Sequence, residues 1–145
     1  MTTLAISPIV DADVEAVIAL WQRCGLTRPW NDPAADIALA RRGANATILI
    51  GRADSAIVAT ALVGHDGHRG WVYYVAVDPD LQGKAFGRTI MAAAEDWLRG
   101  QGVEKVMLMV RPDNTKVHAF YDRLGYDVQE RVIYAKWLDG REMTP

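Results

Sequence analysis

Cysteine is nearly missing: Cys24 is the only one in 145 residues. The chain therefore forms no internal disulfide and offers no thiolate set for zinc, which excludes a cysteine-stapled secreted domain and makes a cytoplasmic setting the expectation. A dominant charge is missing too, since 16 Lys and Arg face 18 Asp and Glu for a formal charge of -2. Without a broad basic field, nucleic acid is not expected as the main ligand, and an anionic partner must be held by a local arrangement of donors. No run approaches the ~20 apolar residues that span a bilayer. Residues 1–10 lack the basic start and apolar stretch of a secretion signal, so neither membrane insertion nor secretion is expected. What is present, 50% hydrophobic and 23% charged residues, fits one globular domain over 1–145 with no linker or repeat.

The hydrophobic pattern alternates between two periods. Thr3 to Ser7 reads as a first strand, and Asp11 as the cap of a helix with Val14, Val17, Ile18 and Trp21 on one face. After the loop Arg28-Pro29-Trp30-Asn31-Asp32, Pro33 suits the first turn of a short helix facing inward through Ile37 and Ala40. Ala46–Ile50 and Ala56–Val63 read as a hairpin around residues 51–55. Trp71–Val77, apolar on both faces, reads as a central strand whose alternation sends Tyr73 and Tyr74 to opposite sides. A helix carrying Phe86, Ile90, Ala94, Trp97 and Leu98 follows, then a strand over Lys105–Val110, a helix carrying Val117, Phe120, Tyr121 and Leu124, and closing strands within Tyr126–Trp137. The apolar stretch leading to Trp137 offers a pairing edge, which leaves a homodimer open.

Chemistry concentrates in two segments. Leu81-Gln82-Gly83-Lys84-Ala85-Phe86-Gly87-Arg88 carries the chain from the central strand into a helix. A glycine-containing turn that feeds a helix directly presents unpaired N–H groups at the positive end of the helix dipole, which is a cradle for phosphate. It is neither a Walker loop, because Ala85 follows Gly83-Lys84 where Ser or Thr is required, nor the dinucleotide pattern G-x-G-x-x-G. In the second segment Asn114 caps a helix and Tyr121 lies two turns further along, before Gly125-Tyr126.

Together, in this element order, the two segments resemble the GNAT family of acyl-CoA-dependent N-acyltransferases, whose loop pattern is Q/R-x-x-G-x-G/A and whose later helix carries Asn and then Tyr. The segments Arg28–Pro33 and Asp66–Gly70 resemble its small bacterial YpeA-like branch. The resemblance implies an α+β fold: a mixed, mostly antiparallel sheet of six or seven strands, with splayed central strands and about four helices. It implies acetyl-CoA as the acyl donor, with no metal. The N–H groups of Gln82, Gly83, Lys84, Ala85, Phe86, Gly87 and Arg88 would hold the pyrophosphate, and the strand edge at Val75, Ala76 and Val77 would hold the pantetheine arm, with the Val75 N–H on the acetyl carbonyl. Asn114 would touch the arm, and Tyr121 would give a proton to the departing sulfur. Ala85 stands where the family has glycine. Because a left-handed conformation would cost alanine about 1–2 kcal/mol, Ala85 is expected to have near-helical geometry.

The resemblance further implies direct attack by an amine on the thioester. Cys24 has no evident activating histidine and is not expected to carry the acyl group. Many members place a glutamate on the central strand to deprotonate the amine, yet Trp71–Val77 holds no carboxylate. Neutralising a lysine amine at pH 7 costs about 4–5 kcal/mol and an α-amine about 1–1.4. The sequence therefore favours a low-pKa amine or a base from a loop, among Asp32, His65, Asp66 and His68. Asp66 is taken as the candidate base, with Trp30, Asp32 and Tyr73 as candidate acceptor contacts. The expected activity is acetylation of a primary amine on a small molecule or a protein. A non-catalytic acyl-CoA-binding regulatory domain and an interaction module with a merely structural glycine turn are the alternatives.

Overall fold

The computed structural model describes residues 3–143. The chain divides into two compact units, Met1–Met109 and Val110–Pro145. The first contains β1 (Ala5–Pro8), α1 (Val14–Arg23), α2 (Pro33–Ala40), β2 (Ala46–Ala53), β3 (Ala56–His65), β4 (Gly70–Val77), α3 (Phe86–Gly100) and β5 (Val106–Met107). The second contains α4 (Thr115–Arg123) and the turns after it.

The strands form one sheet in sequence order, antiparallel from β1 to β4 and parallel between β4 and β5. This is the mixed, mostly antiparallel α+β architecture anticipated, with four α-helices, but the sheet has five strands instead of six or seven. The shortfall lies in Tyr126–Trp137, which forms no strand. Its Val128, Val132, Ile133 and Tyr134 are exposed, so no buried face supports a ladder there. The strand read over Lys105–Val110 shrinks to Val106–Met107.

Apolar stripes on both sides of β3 explain why the sheet is filled from both faces. On one side Val17, Leu20 and Trp21 of α1 and Ile37 and Ala40 of α2 meet Ile48, Ile50 and Ala76. On α3 the stripe Phe86, Ile90, Ala94 and Leu98 is buried together with Met91, and Gly70 lets Leu98 come so close that a Cβ there would lie 2.6 Å from it. Pro33 does open α2, behind Asp32, whose Oδ1 accepts from the Ala35 N–H at 3.1 Å. Asp11 does not cap α1. It opens a 3-10 turn, Asp11–Asp13, and Asp13 precedes the helix, accepting from the Val10 N–H while pairing with Arg52. The β2–β3 hairpin is tighter than the five-residue turn expected, because β2 runs on to Ala53 and only Asp54 and Ser55 turn, both at positive φ.

β4 departs from a plain strand twice, and both departures bear on function. Only Gly70 and Trp71 pair with β5, at Val106 and Met107. From Val72 to Val77 that edge has no strand partner among the described residues, so the β4–β5 ladder ends after two pairs. On its other edge the register jumps from Leu62↔Tyr73 to Thr60↔Ala76, leaving Tyr74 and Val75 in a bulge, with Tyr74 at φ +51°. The bulge overturns the expectation for the two tyrosines. Tyr73 stands opposite Leu62, which packs on the α1–α2 core, and Tyr74 packs on that same core. Strict alternation fails where an extra residue is inserted.

Candidate functional site

The loop after β4 is built by side chains that tie down its ends and leave its middle open. The Asp78 N–H donates to Val58 O at 2.8 Å, and the Asp78 carboxylate accepts from the Asp80 N–H at 2.9 Å and from Arg23 at 2.6 Å. The Asp80 N–H, followed by Arg23, holds the Asp78 carboxyl below the usual range. The Val77 carbonyl accepts from the Gln82 side-chain amide at 3.1 Å and from the Cys24 thiol at 3.3 Å. Burial pushes that thiol's pKa up, the reverse of what a reactive cysteine needs.

Residues 82–85 are exposed, with Gly83 at φ +83°. Ala85 is left-handed, at φ +63° and ψ +18°, and occupies the N-cap position of α3. This corrects the near-helical geometry expected for it: the turn demands a glycine conformation whatever residue fills it. The Thr89 N–H and hydroxyl both reach back to the Ala85 carbonyl, at 3.1 and 3.0 Å, so helical bonding begins at Thr89. The N–H groups of the preceding turn have no intrahelical acceptor. Lys84 and Arg88 are exposed beside them, and Phe86 anchors the turn in a cluster with Ala53 and Val58, against which Val77 and Leu81 pack.

The loop carboxylates are committed to turns. Asp66 Oδ1 accepts from the His68 and Arg69 N–H groups, at 2.9 and 2.8 Å. Those two bonds lower its pKa, and the Trp71 side chain adds a third donor. The Trp71 and Tyr73 rings are stacked with centroids 6.4 Å apart, and Tyr73 is 44% exposed. Its phenol is raised by burial first and by Asp66 second. Asp66, Trp71 and Tyr73 thus form one group. Trp30 is half-buried in the turn before α2 and Asp32 caps that helix; no bond between either residue and the Asp66 group is seen among the described residues.

Sequence reasoning missed a second group on β4. The Tyr74 hydroxyl donates to Asp36 Oδ2 at 2.7 Å, and its ring stacks on Trp21 with centroids 3.8 Å apart. Its pKa is raised by burial, then by Asp36. The only sequence signal for this group was Asp36 lying one position from the buried Ile37, at the border of the helix's apolar face.

In the second unit the Asn114 side chain accepts from the Val117 N–H at 3.4 Å, capping α4 as anticipated. Tyr121 packs edge-on against Phe120 and Tyr126, at 4.9 and 5.5 Å between centroids. Burial pushes its phenol up to about 12. Among the described residues no group of three or more His, Cys, Asp or Glu is placed to hold a metal, and no helix is long and apolar enough to cross a membrane.

Comparison with known proteins agrees with this architecture. The profile of the acetyltransferase (GNAT) family matches residues 14–126. The chain is 39% identical to Acetyltransferase YE1169 of Yersinia enterocolitica over 127 residues, covering 88% of this chain and 90% of that protein. It is equally 39% identical to Acetyltransferase ECA0875 of Pectobacterium atrosepticum, covering 87% and 89%. Among solved structures, AAC(6')-Iy in complex with a bisubstrate analog, CoA-S-monomethyl-acetylneamine, superposes with a TM-score of 0.80 at 18% identity, covering 93% of this chain and 98% of that one. The fold and these relatives define an acyltransferase. The chain belongs to the acetyltransferase (GNAT) family.

Proposed function

We propose that the protein transfers an acetyl group from acetyl-CoA to a primary amine by direct attack. The observation that carries this reading is the unpaired edge of β4 from Val72 to Val77 running straight into the open turn before α3. An extended amide-bearing arm can add to such an edge as a strand would, and the turn then meets a pyrophosphate with main-chain donors at a helix N-terminus. A Cβ at Gly83 would meet nothing within 4 Å, so the turn has room for a ligand against its backbone.

In this reading the N–H groups of Gly83 to Arg88 bind pyrophosphate, with Lys84 and Arg88 adding charge, and Val75 to Val77 bind pantetheine. The Val75 N–H polarises the acetyl carbonyl as charge builds on its oxygen. Asn114 contacts the arm. Tyr121, with a pKa raised to about 12, stays protonated at every working pH and donates a hydrogen bond to the leaving thiolate. The proton that the attacking nitrogen sheds passes to solvent and the thiolate takes one up from solvent, so that Tyr121 ends the step unchanged. Asp66 has a lowered pKa and is a poor store for the amine's proton. Its charge instead draws the acceptor toward Trp71 and Tyr73, with Trp30 a further wall, and the amine arrives neutral from solvent. Cytoplasmic action suits an acetyl-CoA-dependent reaction.

The test is thermal melting with acetyl-CoA, followed by thiol-release assays on amines and N-terminal peptides. Ligand at 100-fold its dissociation constant adds about 2.7 kcal/mol. A melting shift plus thiol release that falls in Tyr121→Phe is expected. No shift defeats the reading; a shift without thiol release from any amine identifies a non-catalytic acyl-CoA-binding domain.

A further inference from the structure

Tyr74 has a backbone conformation that bulky residues rarely adopt, φ +51°, and three contacts hold it there. Its carbonyl accepts from the Thr60 hydroxyl at 2.9 Å, and Thr60 in turn accepts from the Trp21 indole N–H at 2.8 Å. Its ring lies flat on Trp21, with 6° between planes. Its phenol donates to Asp36 at 2.7 Å. Trp21 and Thr60 are fully buried. Such conformations persist where the surroundings over-determine them, and here three elements, α1, α2 and β3, converge on one residue of β4.

The consequence follows from the planarity of the peptide bond. In a trans peptide the carbonyl and the next N–H point in opposite directions. Thr60 fixes the Tyr74 carbonyl, so the same bond fixes the Val75 N–H facing away from Thr60. We propose that Trp21, Thr60, Tyr74 and Asp36 form a positioning lock that sets the bulge of β4 and aims the Val75 N–H at the acyl carbonyl. The lock rests on the acetyl-transfer reading for its purpose. Tyr74 and Asp36 are positioning residues, and the carboxylate absent from β4 itself enters from α2 to hold the strand, not to accept a proton.

The test reads the N–H directly. Infrared spectra of bound acetyl-CoA, isotope-labelled at the acetyl carbonyl, should show a downshifted stretch in the wild type. Tyr74→Phe and Asp36→Ala should lose at least about half of that downshift while acetyl-CoA affinity stays within about threefold. Asp36→Asn should keep it, because the amide oxygen still accepts from the phenol. Hydrogen exchange at the buried Trp21 indole N–H, which donates to Thr60, should speed up about tenfold in Tyr74→Phe and Asp36→Ala at unchanged overall fold. An unchanged downshift and exchange rate in both variants overturns the lock, as does Asp36→Asn failing as badly as Asp36→Ala, which would mean the charge itself acts on substrate. If the wild type binds no acetyl-CoA, the functional reading fails, and Trp21 indole exchange alone decides the lock.

Discussion

Ala85 carries a methyl group in a backbone region that glycine enters freely. Relieving that strain costs some chain entropy in the unfolded state, and the balance favours glycine. Ala85→Gly should therefore raise unfolding free energy by about 0.5–1 kcal/mol, measurable as a shifted urea midpoint at constant slope. A lower midpoint would show that the methyl group is not strained. Tyr121 makes a different prediction. Burial raises its pKa from 10.0 to about 12, so the folded state binds the proton more tightly than the unfolded state. Its contribution is fully present below pH 10 and is lost as pH rises through 12. The alkaline fall in stability between those limits should be shallower in Tyr121→Phe; parallel pH profiles would refute the assignment. Neither effect was readable from residue identity, since left-handed geometry and burial are set by the surrounding fold.

At the level of elements, the sequence disclosed what periodicity encodes. The stripes of α1, α2 and α3, Pro33 in the first turn of α2 and the cap at Asn114 follow from local spacing and local hydrogen bonds, and the structure places them as expected. The glycine turn before α3 was legible for the same reason. What failed depends on partners distant in sequence. β5 is short and Tyr126–Trp137 forms no strand although both are apolar enough for one, because a strand exists only where an edge receives it. The bulge at Tyr74 and Val75 escaped notice because alternation assumes one residue per step. The Trp21–Tyr74–Asp36 group escaped with it, since its members lie 38 and 53 residues apart in sequence. The candidate site was thus visible as a loop, while the geometry of the strand feeding it was not.

For the molecule as a whole, near-neutral charge takes on a positive meaning beside the proposed cofactor. Main-chain N–H groups at a helix start attract phosphate without any excess of Lys or Arg, so a chain of charge -2 can hold a polyanion. The unpaired length of β4 carries a liability unrelated to catalysis. A strand edge without a strand beside it is a template for a neighbouring chain, and here it spans Val72 to Val77 with Tyr73 exposed beside it. A ligand seated along that edge also shields it from other molecules. Concentrated samples without acetyl-CoA should self-associate sooner in light scattering than samples saturated with it, and equal rates would show the edge to be protected already. The strand edge proposed to receive the cofactor would then make solubility depend on the supply of acetyl-CoA.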